Sequence, residues 1–302
     1  MCGLFGFSNY SGEKIKDLCE LTNSLAQQSA VRGTDATGVA YCNSKGISIL
    51  KESKAAYMLD FVHDDNIIAL TGHTRHSTQG SKNKNYNNHP FAGKCKNTRF
   101  ALSHNGVLIN DAELRKMYRL PKTKIETDSY IAVQLIESQK QLDFDSIRYM
   151  AEKTEGSFSY SILDGKNNIY LVKGESPLSI LHFPNQKLYV YASTEEILYK
   201  ALVDFPPLFK ELKSGEHEDI SIKEGEILKI TPNGTTEMSA FSYTGYCGRN
   251  WWDYGFYGED YITELKSVSS YYGYSPDDID ELAECGFTPE EIEEYLYCGG
   301  EV

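Results

Sequence analysis

Short runs of alternating apolar and polar residues, broken by turn residues, fill the first 240 positions of this chain. The opening Leu4-Phe5-Gly6-Phe7-Ser8 predicts a buried strand, and Gly12-Glu13 opens a predicted helix through Ala30. Residues 38–42 and 47–51 alternate on either side of Asn43-Ser44-Lys45-Gly46, a hairpin signal. Residues 67–73 and 99–104 are strand-like, and each run ends in a polar cluster. Helical spacing follows over 112–119, 128–141 and 145–154. Short strands are then predicted at 157–163, 169–172, 178–182 and 188–192, split by turns such as Asp164-Gly165 and Pro184-Asn185. Thr194 is placed to cap a helix through Leu202, with Glu195 and Glu196 in its favourable first turn. A last hairpin joins 226–231 to 235–239 through Pro232-Asn233-Gly234. Strands mostly in hairpin order with helices between them predict an α+β fold of packed antiparallel sheets.

After residue 240 the pattern changes. Residues 243–274 are rich in Tyr, Gly and Trp and carry no clear period. The last segment repeats at an interval of thirteen, with SPDDIDELAECGF at 275–287 answered by TPEEIEEYLYCGG at 288–300. Ser275 and Thr288 are N-caps, Pro276 and Pro289 follow at the first helical position, and Gly286 and Gly299 end each turn of the idiom, which predicts a helical hairpin. The expected division is therefore a domain over 1–240 and an acidic, Tyr-rich extension over 241–302.

Composition narrows the setting. With 302 residues, 40% hydrophobic and 24% charged, the chain has material for a sizeable core. No apolar run approaches the ~20 residues that span a bilayer, and no secretory leader pattern opens the sequence. Seven Cys without a CxxC pair argue against a disulfide framework or a four-thiolate zinc site. A reducing, cytoplasmic location is expected. The net charge of −13 is carried by the end of the chain, where fourteen acids after residue 250 face the single base Lys266. A neutral body with an acidic tail is a poor nucleic-acid binder, and the tail suits a solvated face or a docking element for a basic partner.

The candidate chemistry begins at Met1-Cys2-Gly3. Removal of Met1 would put a thiol and a free α-amine on one residue, a nucleophile with its own base. Alone, a second-position Cys fits a buried small hydrophobe equally well. Four further segments gather unusual polar residues at strand ends: Arg32-Gly33-Thr34-Asp35-Ala36-Thr37-Gly38, Gly72-His73-Thr74-Arg75-His76-Ser77-Thr78-Gln79-Gly80, Ser103-His104-Asn105-Gly106-Val107 and Glu126-Thr127-Asp128-Ser129. By itself His104-Asn105-Gly106 suits a tight hairpin turn, Asp128 a helix-start acid and Arg75 a surface ion pair.

Together with Cys2-Gly3, Asn88-His89-Pro90-Phe91, Ser176-Pro177-Leu178 and Ala192-Ser193-Thr194, these segments resemble, in order over about 2–240, the motifs of class II glutamine amidotransferases. Such N-terminal-nucleophile glutaminase domains occur in glucosamine-6-phosphate synthase and amidophosphoribosyltransferase. The resemblance implies a four-layer αββα sandwich that hydrolyses L-glutamine with Cys2 as nucleophile. It implies that the Asn105 side-chain amide and the Gly106 N–H hold the oxyanion, that Arg75 clamps the α-carboxylate and that Asp128 holds the ammonium. It places Thr78 and His89 along the glutamine pocket, and it gives Arg32, Asp35 and His76 the task of ordering the site. No cofactor and no metal are expected. The expected partner is a separate ammonia-acceptor subunit, because the residues after 240 are too few for the synthetase, isomerase or phosphoribosyltransferase domains of the larger enzymes. Two alternatives stay open: an amidohydrolase of another γ-glutamyl or linear amide, and a non-catalytic module on the same fold. The chain departs from the pattern at His76, an aromatic Trp or Tyr position in the two transferases, and at Gln79, a His in glucosamine-6-phosphate synthase.

Overall fold

The computed structural model describes residues 2–12, 15, 17–243 and 274–287, with isolated positions 262, 265, 266, 269, 292, 295 and 296. Contacts divide the chain into two units, Met1–Tyr246 and Cys247–Val302. Thirteen strands are described: β1 (Gly3–Asn9), β2 (Ala36–Asn43), β3 (Gly46–Glu52), β4 (Ala69–Arg75), β5 (Phe91–Lys94), β6 (Arg99–Leu108), β7 (Gly156–Asp164), β8 (Ile169–Lys173), β9 (Ser179–Phe183), β10 (Leu188–Ala192), β11 (Glu218–Asp219), β12 (Glu226–Ile230) and β13 (Thr236–Ala240). The helices of the first unit are α1 (Leu18–Ser29), α2 (Asp111–Met117), α3 (Tyr130–Ser138), α4 (Phe144–Lys153), α5 (Glu195–Leu202) and α6 (Pro206–Ser214).

The strands form two antiparallel sheets, ordered β11-β9-β10-β1-β4-β2-β3 and β13-β12-β8-β7-β6-β5. Helices α1, α5 and α6 cover the outer face of the first sheet, where Leu21, Leu25, Leu198 and Leu212 bury against Phe5, Phe7, Val39 and Val190. On the second sheet α3 and α4 bury Ile131, Leu135, Ile147 and Met150 against Leu102, Phe158, Tyr160 and Val172. A third cluster, including Ala40, Ala69, Leu163, Leu171, Ile180 and Leu228, lies between the sheets. The result is the expected αββα sandwich.

The layer between the sheets is graded. Strand alternation puts Ala69, Thr71, His73 and Arg75 of β4 on one face. The series begins in the apolar cluster and turns polar along the strand. Thr71 donates to Ser161 Oγ at 2.8 Å, and Ser161 shares a 2.6 Å hydrogen bond with the Tyr191 hydroxyl. Two strand positions later, a 2.8 Å hydrogen bond joins His73 Nε2 to the His104 carbonyl. The polar end of this layer is where the conspicuous motifs meet.

Several boundaries differ from the sequence expectation. The first helix is described from Leu18, and residues 13, 14 and 16 lie outside the described residues. Strand β6 continues through Asn105 and Gly106 to Leu108, so His104-Asn105-Gly106 is strand, not turn. Its neighbour β7 pairs with it along the whole length, which overrides the local turn preference. Asp128 precedes α3, and its side chain turns to β6 instead of capping the helix. Helix α6 was not expected: Pro206 and Pro207 sit in its first turn, where a missing N–H costs little, and Gly215 at φ 71° closes the other end. Strand β5 was also missed, at only four residues.

In the second unit the described helix is α7 (Pro276–Glu284). Ser275 Oγ accepts the Asp278 N–H while Asp278 accepts the Ser275 N–H, a complete capping box. The second copy of the repeat lies largely outside the described residues. Among the described residues, no helix is long and apolar enough to cross a membrane.

Candidate active site

Strand register assembles the site. Gly3 of β1 lies opposite Thr74 of β4, and Ala36 of β2 lies opposite Arg75. Cys2 therefore enters the sheet at the level of Arg75. At Gly3 a Cβ would stand 2.6 Å from Thr74 Oγ1, so the residue after Cys2 has to be small. Arg32 donates from Nε to the Cys2 carbonyl at 2.8 Å, fixing the backbone beneath the thiol. The Cys2 thiol is half-buried and donates to the His76 carbonyl at 3.5 Å. Burial raises its pKa, and the neighbouring Arg75 charge works the other way.

Arg75 is 3% exposed and carries its charge among neutral acceptors. It donates to Asn88 Oδ1 at 2.6 Å and to the carbonyls of Gln79 and Gly80 at 2.6 and 3.0 Å. Asp128, 4% exposed, is likewise held by neutral donors, the Leu108 N–H at 2.7 Å and the Ser129 hydroxyl at 3.3 Å. Both charges act on Cys2 from opposite signs. Two buried, opposite charges beside one thiol, each satisfied by neutral groups, suit a ligand that brings an anion and a cation of its own.

Strand β6 supplies the facing donors. Asn105 is 2% exposed, and its side-chain NH₂ has no hydrogen-bond partner among the described residues, a cost that a buried amide does not bear without reason. Gly106 follows at φ 134°, where a Cβ would lie 2.1 Å from the Ser157 carbonyl oxygen. Only glycine fits there.

The segment 76–88 folds across this end of the sheet. Asp35 accepts the Ser77 N–H at 2.9 Å and pairs with Lys82 at 2.5 Å, contacts that hold its carboxyl below the usual range although burial opposes them. Glu126 pairs with Lys84 and accepts from Asn87 Nδ2 at 2.9 Å, anchoring the segment's other end. His76 is half-buried, and burial lowers its pKa to about 4. Thr78 stands exposed on the same segment.

Three histidines lie close by. The His89 ring lies tilted against His73 at 4.1 Å and against Phe91 at 4.3 Å, and neither of its ring nitrogens has a hydrogen-bond partner among the described residues. A 2.8 Å hydrogen bond links His104 Nδ1 to Ser129 Oγ. Burial keeps all three neutral, with His73 pushed down to about 3. Among the described residues, no group of three or more His, Cys, Asp or Glu side chains could hold a metal ion.

The structure thus brings Cys2, Arg32, Asp35, Arg75, His76 and Asp128 to one end of the sandwich, with Asn105 and Gly106 on the strand fixed by Asp128. Thr78 is on the surface of that end, and His89 is buried against His73. Sequence reasoning gave no role to Asn88, Glu126 or Lys51. The first two sat inside recognised motifs; their partners, thirteen and about forty residues away in sequence, gave no signal.

Comparison with known proteins follows the geometry. The family described as the glutamine amidotransferase domain matches residues 73–200. The glutamine–fructose-6-phosphate aminotransferase of Bacillus cereus is 32% identical over 251 residues, covering 80% of this chain and 40% of the relative. That of Staphylococcus aureus is 31% identical over 238 residues, covering 76% and 37%. This chain therefore spans about two fifths of the length of these curated relatives. Among solved structures, the glutamine phosphoribosylpyrophosphate amidotransferase of Bacillus subtilis superposes with a TM-score of 0.62 at 19% identity, over 80% of this chain and 49% of that one. An allosteric regulatory enzyme of purine biosynthesis gives the same TM-score at 18% identity, over 81% and 50%. At these identities the superpositions speak to the fold.

Proposed function

Because this chain belongs to the class II glutamine amidotransferases, with a domain of the N-terminal-nucleophile type, we propose that it hydrolyses L-glutamine to glutamate and ammonia through Cys2. The observation that carries the reading is the placement of two buried charges, Arg75 and Asp128, around one thiol, each held by neutral partners. An α-amino acid supplies the carboxylate and ammonium they lack. Its side-chain amide then extends toward Cys2.

With Met1 removed, the Cys2 amine takes the thiol proton as sulfur attacks the amide carbon. Negative charge collects on the amide oxygen. The unpartnered NH₂ of Asn105 and the N–H of Gly106 receive it, and donors already in place need no reorganisation when that charge develops. Collapse of the tetrahedral adduct breaks the C–N bond, and the protonated amine returns the proton to the leaving ammonia. Water then adds to the γ-glutamyl thioester, releasing glutamate and restoring the thiol. Thr78 and His89 line the glutamine pocket in this reading, and Arg32, Asp35 and His76 order the backbone around Cys2.

Delivery of the ammonia to a separate acceptor subunit belongs to the same proposal, with the domain at 1–240 as the glutaminase and 241–302 as the extension that docks the acceptor. The relatives, named as transferases of a glutamine nitrogen, support an acceptor; the acidic extension supports a basic docking partner.

A substrate screen tests the reading. Glutamate release from glutamine, with asparagine and γ-glutamyl peptides poor by comparison, is the expected result. Preference for another γ-glutamyl amide, or no turnover of any amide, would overturn it.

A further inference from the structure

Lys51 is a half-buried cation to which the mechanism above gives no task. Its ammonium donates to the Asn88 carbonyl at 2.5 Å and to the Pro90 carbonyl at 3.0 Å, and it stands 5.2 Å from the centre of the Phe91 ring. The Lys51 carbonyl in turn accepts from Asn85 Nδ2 at 2.7 Å. Lys51 thus holds the segment 85–90 at both ends, by its backbone carbonyl at Asn85 and by its side chain at Asn88 and Pro90.

That segment lies tightly on the first sheet. Gly38, opposite Lys51 in the β2–β3 register, leaves room for it: a Cβ there would stand 2.3 Å from the His89 carbonyl oxygen and 2.6 Å from Lys51 Cβ. Asn88 is fully buried at the centre of the grip. Its Nδ2 donates within 3.1–3.2 Å to Ser53 Oγ, the Lys82 carbonyl and Asn85 Oδ1. Its Oδ1 accepts from Arg75 at 2.6 Å. A single side chain therefore passes the position of Lys51 to the guanidinium.

Resting on the glutaminase reading, we propose that Lys51 is a positioning residue for glutamine binding. Its ammonium fixes the backbone of Asn88 so that the Asn88 side chain holds Arg75 in the orientation that meets the substrate carboxylate. A charged donor suits the task because its bonds to carbonyl oxygens are shorter and stronger than those of a neutral one. Burial, with the Arg75 charge nearby, lowers the Lys51 pKa to about 8, in keeping with an ammonium held by neutral groups. The task concerns binding and not the covalent steps, since Lys51 reaches the substrate only through Asn88 and Arg75.

The test is a double-mutant cycle on the full chain, read as glutamate release against glutamine concentration. Lys51→Met is expected to raise KM about tenfold with kcat within about twofold, the pattern of lost binding common to ground and transition states. Lys51→Arg, which keeps the charge and the donors, is expected to recover most of that loss. Placed in an Asn88→Ala background, Lys51→Met is expected to change KM by less than about twofold, because the intermediary is already gone. An unchanged KM in Lys51→Met overturns the inference. An equal rise with and without Asn88 also overturns it, since the lysine would then act on the carboxylate directly through space. Should Lys51→Met fail to fold by thermal melt, Lys51→Gln carries the same comparison. Absence of turnover in the unmodified chain sinks the glutaminase reading itself, whereas turnover with an indifferent Lys51 sinks only the positioning role.

Discussion

The carboxylate of Asp128 accepts the backbone N–H of Leu108 at 2.7 Å, tying the start of α3 to the strand that carries Asn105 and Gly106. Ser129 adds a second tie through its bond to His104 Nδ1 at 2.8 Å. The acid assigned to the substrate ammonium and the donors assigned to the oxyanion are therefore parts of one rigid piece. Hydrogen bonds from both Asp128 and Ser129, and the packing of α3 on β6, link the two.

Asp128→Asn separates charge from structure. The amide oxygen still accepts from Leu108, so stability should change by less than ~1 kcal/mol. Loss of the charge-assisted bond to an ammonium should raise the glutamine KM about ten- to a hundredfold. Steady-state kinetics and a denaturant melt on the same preparation check both halves. Unchanged KM would remove Asp128 from substrate binding.

Gly106→Ala introduces a Cβ 2.1 Å from the Ser157 carbonyl oxygen at a backbone φ of 134°. Strain and overpacking together should cost about 3 kcal/mol of stability. The displaced N–H should cost on the order of 10² in turnover. A variant with native stability and activity would show that β6 yields more easily than its packing against β7 indicates.

Acid should weaken the fold through its buried imidazoles. Burial holds His73 down to about 3 and His76 to about 4, whereas in the unfolded chain both titrate near ~6.5. Below that pH the unfolded chain binds protons that the folded chain refuses, so stability is complete above ~6.5 and falls as pH drops toward about 4 for His76 and about 3 for His73. Thermal melts at pH 7.5, 6 and 5 should show a decline that His73→Gln makes shallower. A melting temperature level from 7.5 to 5 would contradict this.

Much of the sandwich is legible in the sequence because its sheets are built from local hairpins. Asn43-Ser44-Lys45-Gly46 marks the β2–β3 turn, and Thr194 marks the start of α5 by an N-cap that the structure retains, accepting from Ile197 N–H. Where a local signal competed with packing, packing prevailed. His104-Asn105-Gly106 carries turn chemistry, yet β7 pairs it into a strand. Helix α6 was unread because its nine residues give only a short pattern, in which Leu208 and Leu212 are the buried positions. The motif residues around Cys2 were recognisable from their order along the chain. The grip of Lys51 on Asn88 was not, because it runs from a side chain to a backbone carbonyl 37 residues away, and a carbonyl has no residue identity to read.

The account depends most on Cys2 acting as an amino-terminal nucleophile. Incubation of the active chain with a glutamine-like diazo-ketone, followed by intact-protein and peptide mass spectrometry, tests this directly. The account predicts a chain lacking Met1, one adduct on the Cys2 peptide, loss of glutamate release in step with labelling, and no adduct in Cys2→Ala. Fully active protein that retains Met1, or an inactivating label on a residue other than Cys2, would contradict it.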